Sequence, residues 1–503
     1  MVHISHSHDQ QLDPTQEITH ELTLEHVRDR AVRGIILLTG RTFLLQALSF
    51  VAWFFLTLLL NPSDIGLFFV VSAVVSFFRY FSDVGLAAAL IQKKEAITDE
   101  DLKTTFTIQM ALVLGVLATL YVLTPWFTRT YHLTVDGVFL LSALGIGFFL
   151  ASLKTIPSIL LERKLHFERL IVPDVLENLV YNISAVIFAW LGFGVASFAY
   201  AVLIRGVVGV IAIYFLRPWK PVFGFSAASL HRLLKYGVPY QLNTFLATIK
   251  DDGMTAFLGG ILGATGIGYL GWAQKWAQTP LRLFMDNVTR VTFPAFSRMQ
   301  DEKEHLKNSV TRSIFFICFL VFPSIIGLVI LAPILITIIP KYSKWEPAII
   351  PLYLLSINVI FAAATTQLTN LLNAIGKIKV TFKLMVMWTV LTWAFIPFLA
   401  TKYGVNGAAL GYSLVGASSI VAMIVAYKYV KFSVQDGILV PLYAALGMGC
   451  VMYVFRMFFS YTFFSMATLA IAGGISYIGI IYLFVGKSIF IDARESFKML
   501  FNK

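Results

Sequence analysis

The sequence predicts an all-α polytopic membrane protein of about fourteen transmembrane helices: two six-helix bundles related by a parallel pseudo-two-fold repeat, plus two C-terminal helices. Three observations carry that prediction. Of 503 residues, 58% are hydrophobic and only 13% are charged, about half the roughly 25% of a soluble domain. The mean hydropathy of +0.79 exceeds what a water-soluble core can hide, so much of the chain must face lipid. Apolar stretches of spanning length, about 20 residues for one helical crossing, recur fourteen times.

The elements follow in order. Residues 1–33 form a polar tail without the early apolar core of a cleavable secretory signal. Within it, residues 15–33 mix charges with scattered apolar side chains, as a short interfacial helix does. Spans at 34–60, 65–91, 104–126, 136–161, 170–191 and 194–216 make an N-terminal bundle over 34–220. Spans at 236–259, 265–296, 310–339, 347–375, 380–401 and 404–427 make a C-terminal bundle over 221–432. The last two, 438–459 and 464–486, lie in a region over 433–503 that ends in a short tail. Each is predicted helical, because a lone segment in lipid must satisfy its own backbone hydrogen bonds. The external turns Asn61-Pro62-Ser63-Asp64, Leu191-Gly192-Phe193-Gly194 and Gly263-Ala264-Thr265-Gly266 are short, which leaves no room for an extracytoplasmic domain.

Charge orients the chain. With a cytoplasmic N-terminus, 26 of the 39 Lys and Arg fall in cytoplasmic tails and loops, among them Arg28, Arg30, Lys93, Lys94, Arg163, Lys164, Arg298 and Lys303. Only Arg129, Lys341, Lys344 and Lys402 fall outside. One missed span would invert everything after it, so both termini are predicted cytoplasmic. The same bias explains the net charge of +12 without nucleic acid. Cys318 and Cys450 lie in apolar runs and read as small buried hydrophobes, which leaves no disulfide, zinc or redox pair. His3, His6 and His8 read as a solvated tail rather than a metal site. No phosphate-binding glycine loop stands in a strand-to-helix context, and Ser, His and Asp show no hydrolase spacing. No cofactor is expected.

Short matches mark an internal repeat. Ile65-Gly66-Leu67 resembles Ile267-Gly268-Tyr269, Leu160-Leu161 matches Leu371-Leu372, and Gly194-Val195 matches Gly404-Val405. Each offset carries six spans, an even number, so the copies share one orientation and any substrate cavity is expected between the halves.

Nine basic residues remain inside the spans: Arg41, Arg79, Lys154, Arg205, Lys250, Lys275, Arg282, Arg290 and Arg456. Six acids join them: Asp83, Asp174, Glu177, Asp251, Asp252 and Asp286. A mid-bilayer charge costs several kcal/mol unless it meets water or a partner. Arg205, Arg290, Arg456 and Lys154 lie near enough to span ends to snorkel to the headgroups; Arg41, Arg79, Lys250 and Arg282 lie deeper. At 100° per residue, Lys275, Arg282, Asp286 and Arg290 share one face within about 80°. Arg79 and Asp83 are four apart and can pair across one turn. Gln241, Thr244, Thr248 and Asp252 share another face, and Asp174, Glu177, Asn178 and Asn182 form an acidic-amide stripe. A chamber lined by more cations than acids implies an anionic substrate, and Arg geometry suits phosphate oxygens. The expected anion-binding set is Arg41, Arg79, Lys154, Lys250, Lys275, Arg282 and Arg290. The expected ion-coupling set is Asp83, Asp174, Glu177, Asp252 and Asp286, where burial could make a carboxylate a proton carrier.

Five blocks, in order, resemble the Wzx-type polysaccharide flippases. They are residues 60–66 (Leu60-Asn61-Pro62-Ser63-Asp64-Ile65-Gly66), 83–94 from Asp83-Val84-Gly85 to Gln92-Lys93-Lys94, 160–167 (Leu160-Leu161-Glu162-Arg163-Lys164-Leu165-His166-Phe167), 293–301 from Phe293-Pro294-Ala295 to Gln300-Asp301, and 344–351 from Lys344-Trp345-Glu346 to Pro351. The resemblance covers roughly 34–430. It implies the polysaccharide transport branch of the MOP exporter superfamily, with a MATE-like fold. It further implies a non-enzyme that moves an undecaprenyl-pyrophosphate-linked oligosaccharide across the bacterial cytoplasmic (inner) membrane, for lipopolysaccharide or exopolysaccharide synthesis. Membrane lipids and the polymerase or glycosyltransferases of the pathway are the implied partners, and nucleic acid is not. The 33-residue leader, the Lys250-Asp251-Asp252 triplet and Arg79 depart from the family pattern. Three alternatives share parts of this reading: a lipid II flippase, an ion-coupled drug exporter of the same fold, which should have an acidic chamber, and a membrane glycosyltransferase or ligase, which should have a sizeable loop or soluble domain. The sugar, the coupling ion and the oligomeric state are not legible in the sequence.

Overall fold

The computed structural model describes residues 42, 44–82, 84–93, 95–164 and 166–486, and these contain helices and connections but no strand. In chain order the helices are α1 (Leu44–Leu59), α2 (Pro62–Arg79), α3 (Leu86–Gln92), α4 (Asp99–Tyr131), α5 (Val135–Leu153), α6 (Thr155–Arg163), α7 (Phe167–Trp190) and α8 (Ala196–Leu216). They continue with α9 (Ala227–Thr248), α10 (Met254–Arg298), α11 (Lys303–Ile338), α12 (Ile349–Ala374), α13 (Ile378–Ala417), α14 (Ser419–Tyr429), α15 (Val440–Arg456) and α16 (Phe463–Val485).

Eleven helical stretches among the described residues are long and apolar enough to cross a membrane, and α1 is a shorter apolar helix. Two of the eleven, Phe245–Asp286 with 42 residues and Ile378–Tyr429 with 52, far exceed the roughly 30 Å of bilayer hydrocarbon at 1.5 Å per residue. Each is broken by one glycine, Gly263 (φ 66°, ψ 176°) and Gly404 (φ 60°, ψ −138°). At Gly404 the chain doubles back, because a Cβ on Gly411 would meet Ile396, fifteen residues earlier. A side chain would strain such a backbone, so glycine marks the turn. With both breaks counted, the described residues hold fourteen apolar segments, the number expected from hydropathy.

The described residues group into two compact units. Of the described residues, the first holds those up to Trp53 and Val74–Thr248; the second holds Phe54–Ala73 and those from Ile249 to Gly486. In the first unit, a core of Leu86, Leu90, Leu102, Phe106, Ile156, Leu160 and Leu233 ties α3, α4, α6 and α9 together. Charge completes that end. Thr98 and Asp101 form a capping box at the start of α4, satisfying the orphan N–H groups of the first turn. The same Asp101 carboxylate, fully buried, pairs with Lys93 at 2.6 Å and accepts from Ser229 Oγ at 2.5 Å. Arg163 donates to the carbonyls of Leu90 at 2.9 Å, Lys93 at 2.5 Å and Glu95 at 2.5 Å. Lys93, Asp101 and Arg163 thus tie α3, α4, α6 and α9 together around the start of α4.

In the second unit, residues of α11 and α12 such as Ile314, Ile317, Cys318, Val321, Phe322, Leu368, Leu371 and Leu372 are fully buried. Against them stands a seam between α2 and α10. A Cβ on Gly66 would overlap the Ala264 carbonyl, and one on Gly268 would overlap the Pro62 carbonyl. The two contacts are reciprocal across one offset of 202 residues, the offset that relates Ile65-Gly66 to Ile267-Gly268. Beside the seam, Trp345 Nε1 donates to the Thr57 carbonyl at 2.9 Å and stacks on Trp272 at 5.5 Å. Lys344 Nζ donates to the carbonyls of Leu58 at 2.8 Å and Leu60 at 2.6 Å, a cation closing the C-terminus of α1. Of the two cysteines expected to be buried, Cys318 is, whereas Cys450 is exposed, on the side of α15 away from its buried Met448 and Met452.

Candidate functional site: membrane charges and a polar pocket

Arg41 and Asp83 lie outside the described residues. The other expected site residues fall into four places, two in each unit.

In the first unit, Glu177 on α7 is buried, 6% exposed. Lys154, the hinge residue between α5 and α6, donates to its Oε1. Arg205 of α8 approaches Oε2 with Nε at 3.4 Å and lies 5.7 Å from the centre of the Tyr181 ring. One turn on, Asn182 Nδ2 donates to Asn178 Oδ1 at 2.7 Å, and Ser49 Oγ to the same oxygen at 3.2 Å. The acidic-amide stripe is therefore internally matched: one carboxylate between two cations, and the amides bonded to one another. Asp174 is half-buried on the same helix.

Also in the first unit, Arg79 at the end of α2 stands on the wall of a cavity of about 390 Å³. Ser76 and Arg79 are exposed at its mouth, while Gln109, Ser82 and Ser152 are buried within. Gln241 of α9 donates through Nε2 to the Tyr80 carbonyl at 3.0 Å, and the Tyr80 hydroxyl donates back to the Gln241 carbonyl. That reciprocal pair fixes the end of α2 against α9. Gln109 Nε2 donates to Thr155 Oγ1 at 2.9 Å.

In the second unit, Lys275, Arg282, Asp286 and Arg290 of α10 are all exposed, whereas Trp272, Ala273, Ala277 and Met285 on its other face are buried. Arg282 Nη2 donates to Gln278 Oε1 at 3.2 Å. Among the described residues no ion pair joins these four charges. Such a stripe within a span faces water, because each bare charge against hydrocarbon costs several kcal/mol. Lys250, Asp251 and Asp252 lie on one turn of π-helix, Ile249–Gly253, just before α10. Lys250 pairs with Asp251 at 2.5 Å, and Asp252 is half-buried. Wide turns of this kind recur at functional positions in helices.

The structure thus assembles the α10 stripe by itself and the Lys154–Glu177–Arg205 cluster by itself, and it places Arg79 in a pocket of neutral polar groups. Gln241 stands out in the sequence on the face it shares with Thr244, Thr248 and Asp252, whereas Ser76, Gln109 and Thr155 escape a reading that follows charge. Their signal was available: neutral hydrogen-bonding side chains inside spans also need partners. The contribution of Asp101 is hidden too, since a carboxylate at the start of a helix reads first as a cap.

The fold is that of a multi-pass helical membrane protein, and its helices follow those of solved flippase and multidrug-transporter structures. The chain superposes on the inward-closed lipid II flippase MurJ with a TM-score of 0.73 at 18% identity, over 90% of this chain and 100% of that one. In sequence it is 24% identical over 393 residues to the lipopolysaccharide biosynthesis protein WzxC of Escherichia coli (strain K12), covering 77% of this chain and 79% of that protein. It is also 24% identical over 388 residues to the succinoglycan biosynthesis transport protein ExoT of Rhizobium meliloti (strain 1021), covering 77% and 76%. A family model described as polysaccharide biosynthesis protein matches residues 55–350, more than half of the chain, and the chain belongs to that family.

Proposed function

We propose that the protein is a flippase that carries a polyprenyl-pyrophosphate-linked oligosaccharide across the bacterial cytoplasmic membrane by alternating access, with both termini in the cytoplasm. The observation that carries this reading is the exposed stripe of Lys275, Arg282 and Arg290 against the single Asp286 on α10. Unsatisfied guanidinium and ammonium donors in a membrane-spanning segment form a receptor for a doubly charged phosphate ester, and a planar guanidinium grips two of its oxygens at once. Arg79 offers a second cation at the mouth of a pocket. The polyprenyl tail stays in lipid while the head crosses in water, which spares the sugar the passage through hydrocarbon. Relatives named for lipopolysaccharide synthesis and succinoglycan transport support an oligosaccharide head.

Coupling to an ion gradient belongs to the same reading. Glu177 already holds two cations and serves as an internal counter-ion. Asp252 and Asp286, without an ion-pair partner among the described residues, are the better placed carriers. The test is complementation of a flippase-deficient strain. Surface polysaccharide should return, and the lipid-linked intermediate that accumulates without a flippase should disappear. New glycosidic linkages made by the purified protein would instead make it a glycosyltransferase or ligase.

A further inference from the structure

We propose that the cavity in the first unit is a sugar-binding subsite, and that Gln109 on its floor selects the ring joined to the pyrophosphate. The proposal rests on the flippase reading and adds the surface that reads the sugar.

Size comes first. A cavity of about 390 Å³ lies near the lower end of small-ligand pockets, about 300–1,000 Å³, and so admits a ring rather than a whole oligosaccharide. Chemistry comes next. Among the described residues the lining has one cation, Arg79, and no carboxylate; most of the remainder is hydroxyl and amide. Gln109 is 8% exposed. One Nε2 hydrogen is donated to Thr155, and its Oε1 has no partner. An unmatched buried acceptor is unfavourable, and a ligand donor removes that penalty. Ser82 Oγ and Ser152 Oγ each donate at 2.6 Å to a backbone carbonyl, that of Arg79 and that of Phe149. Their protons are spent, so they too offer the pocket lone pairs.

A floor of acceptors discriminates between the two halves of the head group. Phosphate oxygens bring only lone pairs and cannot satisfy Gln109 Oε1 or the two serine oxygens. A sugar hydroxyl donates and accepts at once, so it satisfies Gln109 and the serines. Phe148 supplies an apolar ring surface for the C–H face of a pyranose. Arg79 at the mouth orders the ligand: a phosphate held there leaves the ring bonded to it at the pocket entrance.

The test uses the purified full chain with the exposed Cys450 changed to Ser, leaving Cys318 buried, and Ser76→Cys as a reporter at the mouth. The rate of N-ethylmaleimide labelling is measured with a panel of methyl glycosides and with inorganic pyrophosphate. One glycoside should slow labelling about threefold at tens of millimolar, the affinity expected of a single ring. Gln109→Leu should abolish that protection and leave protection by pyrophosphate unchanged. If Gln109→Leu does not fold, as judged by its unfolding midpoint, Gln109→Asn keeps the amide but withdraws it and should weaken protection severalfold. Protection by pyrophosphate alone, by nothing in the panel, or equally in both Gln109 variants overturns the subsite. Glycoside protection together with failed complementation would overturn the flippase reading instead.

Discussion

Helices α7 and α10 both carry charge into the membrane, and they dispose of it in opposite ways. On α7, Glu177 is buried and answered by Lys154 and Arg205. On α10, Lys275, Arg282, Asp286 and Arg290 stay exposed, with Gln278 as the one hydrogen-bond partner among the described residues. A matched buried cluster is a feature of architecture: breaking it strands a charge. The exposed stripe fits the proposed recognition role, since among the described residues Gln278 takes only one of its donors. The same signal in a sequence, charge on a helix face, therefore has two meanings, and only the partners on other helices tell them apart.

The largest expected effect is on the α7 side. Glu177→Ala leaves Lys154 and Arg205 facing each other without a counter-charge, a loss of about 3 kcal/mol or more. Protein in the membrane should fall sharply, with a lower unfolding midpoint, and Lys154→Met combined with Glu177→Gln should recover most of it. On the α10 side, Arg282→Ala should leave protein level unchanged while polysaccharide export falls about tenfold, the equivalent of one lost charge-assisted contact. Arg282→Lys should recover only part, because an ammonium cannot bind two oxygens in a plane. Normal export in Arg282→Ala would erase the contrast between the helices. A smaller loss, about 1–3 kcal/mol, is expected for Lys344→Met, which removes two bonds to the end of α1; a thermal unfolding series would read it without a change in substrate selectivity. Arg129→Ala, at an exposed position, should alter neither export nor stability, measured by complementation and blot.

The spans were legible because each is a long apolar run, and Gly263 and Gly404 were legible as breaks because only turn residues interrupt such runs. The α10 stripe was legible too: residues seven, four and four apart return to one face of a helix. The α7 cluster was only half legible. Glu177 stands out as an acid in a span, but its partners lie 23 residues before and 28 residues after it on other helices, and periodicity along one helix says nothing about packing between helices. The pocket floor was least legible of all, because Gln109 and Thr155 carry no charge and acquire meaning only when α4 and α6 bring them within 2.9 Å.

The seam at Gly66 and Gly268 also sets a schedule. Residues 54–73 leave the ribosome before 74–248, yet they belong to the unit completed only by residues from Ile249 onward. At about 5–20 residues per second, the intervening 74–248 take about 10–40 s to synthesise. Throughout that interval the N-terminal part of α2 must wait with its packing face toward α10 open, exposed to early proteolysis. Biogenesis of this protein is thus gated by its second half, and truncations ending before Gly268 should be cleared rapidly even though their first unit can be complete.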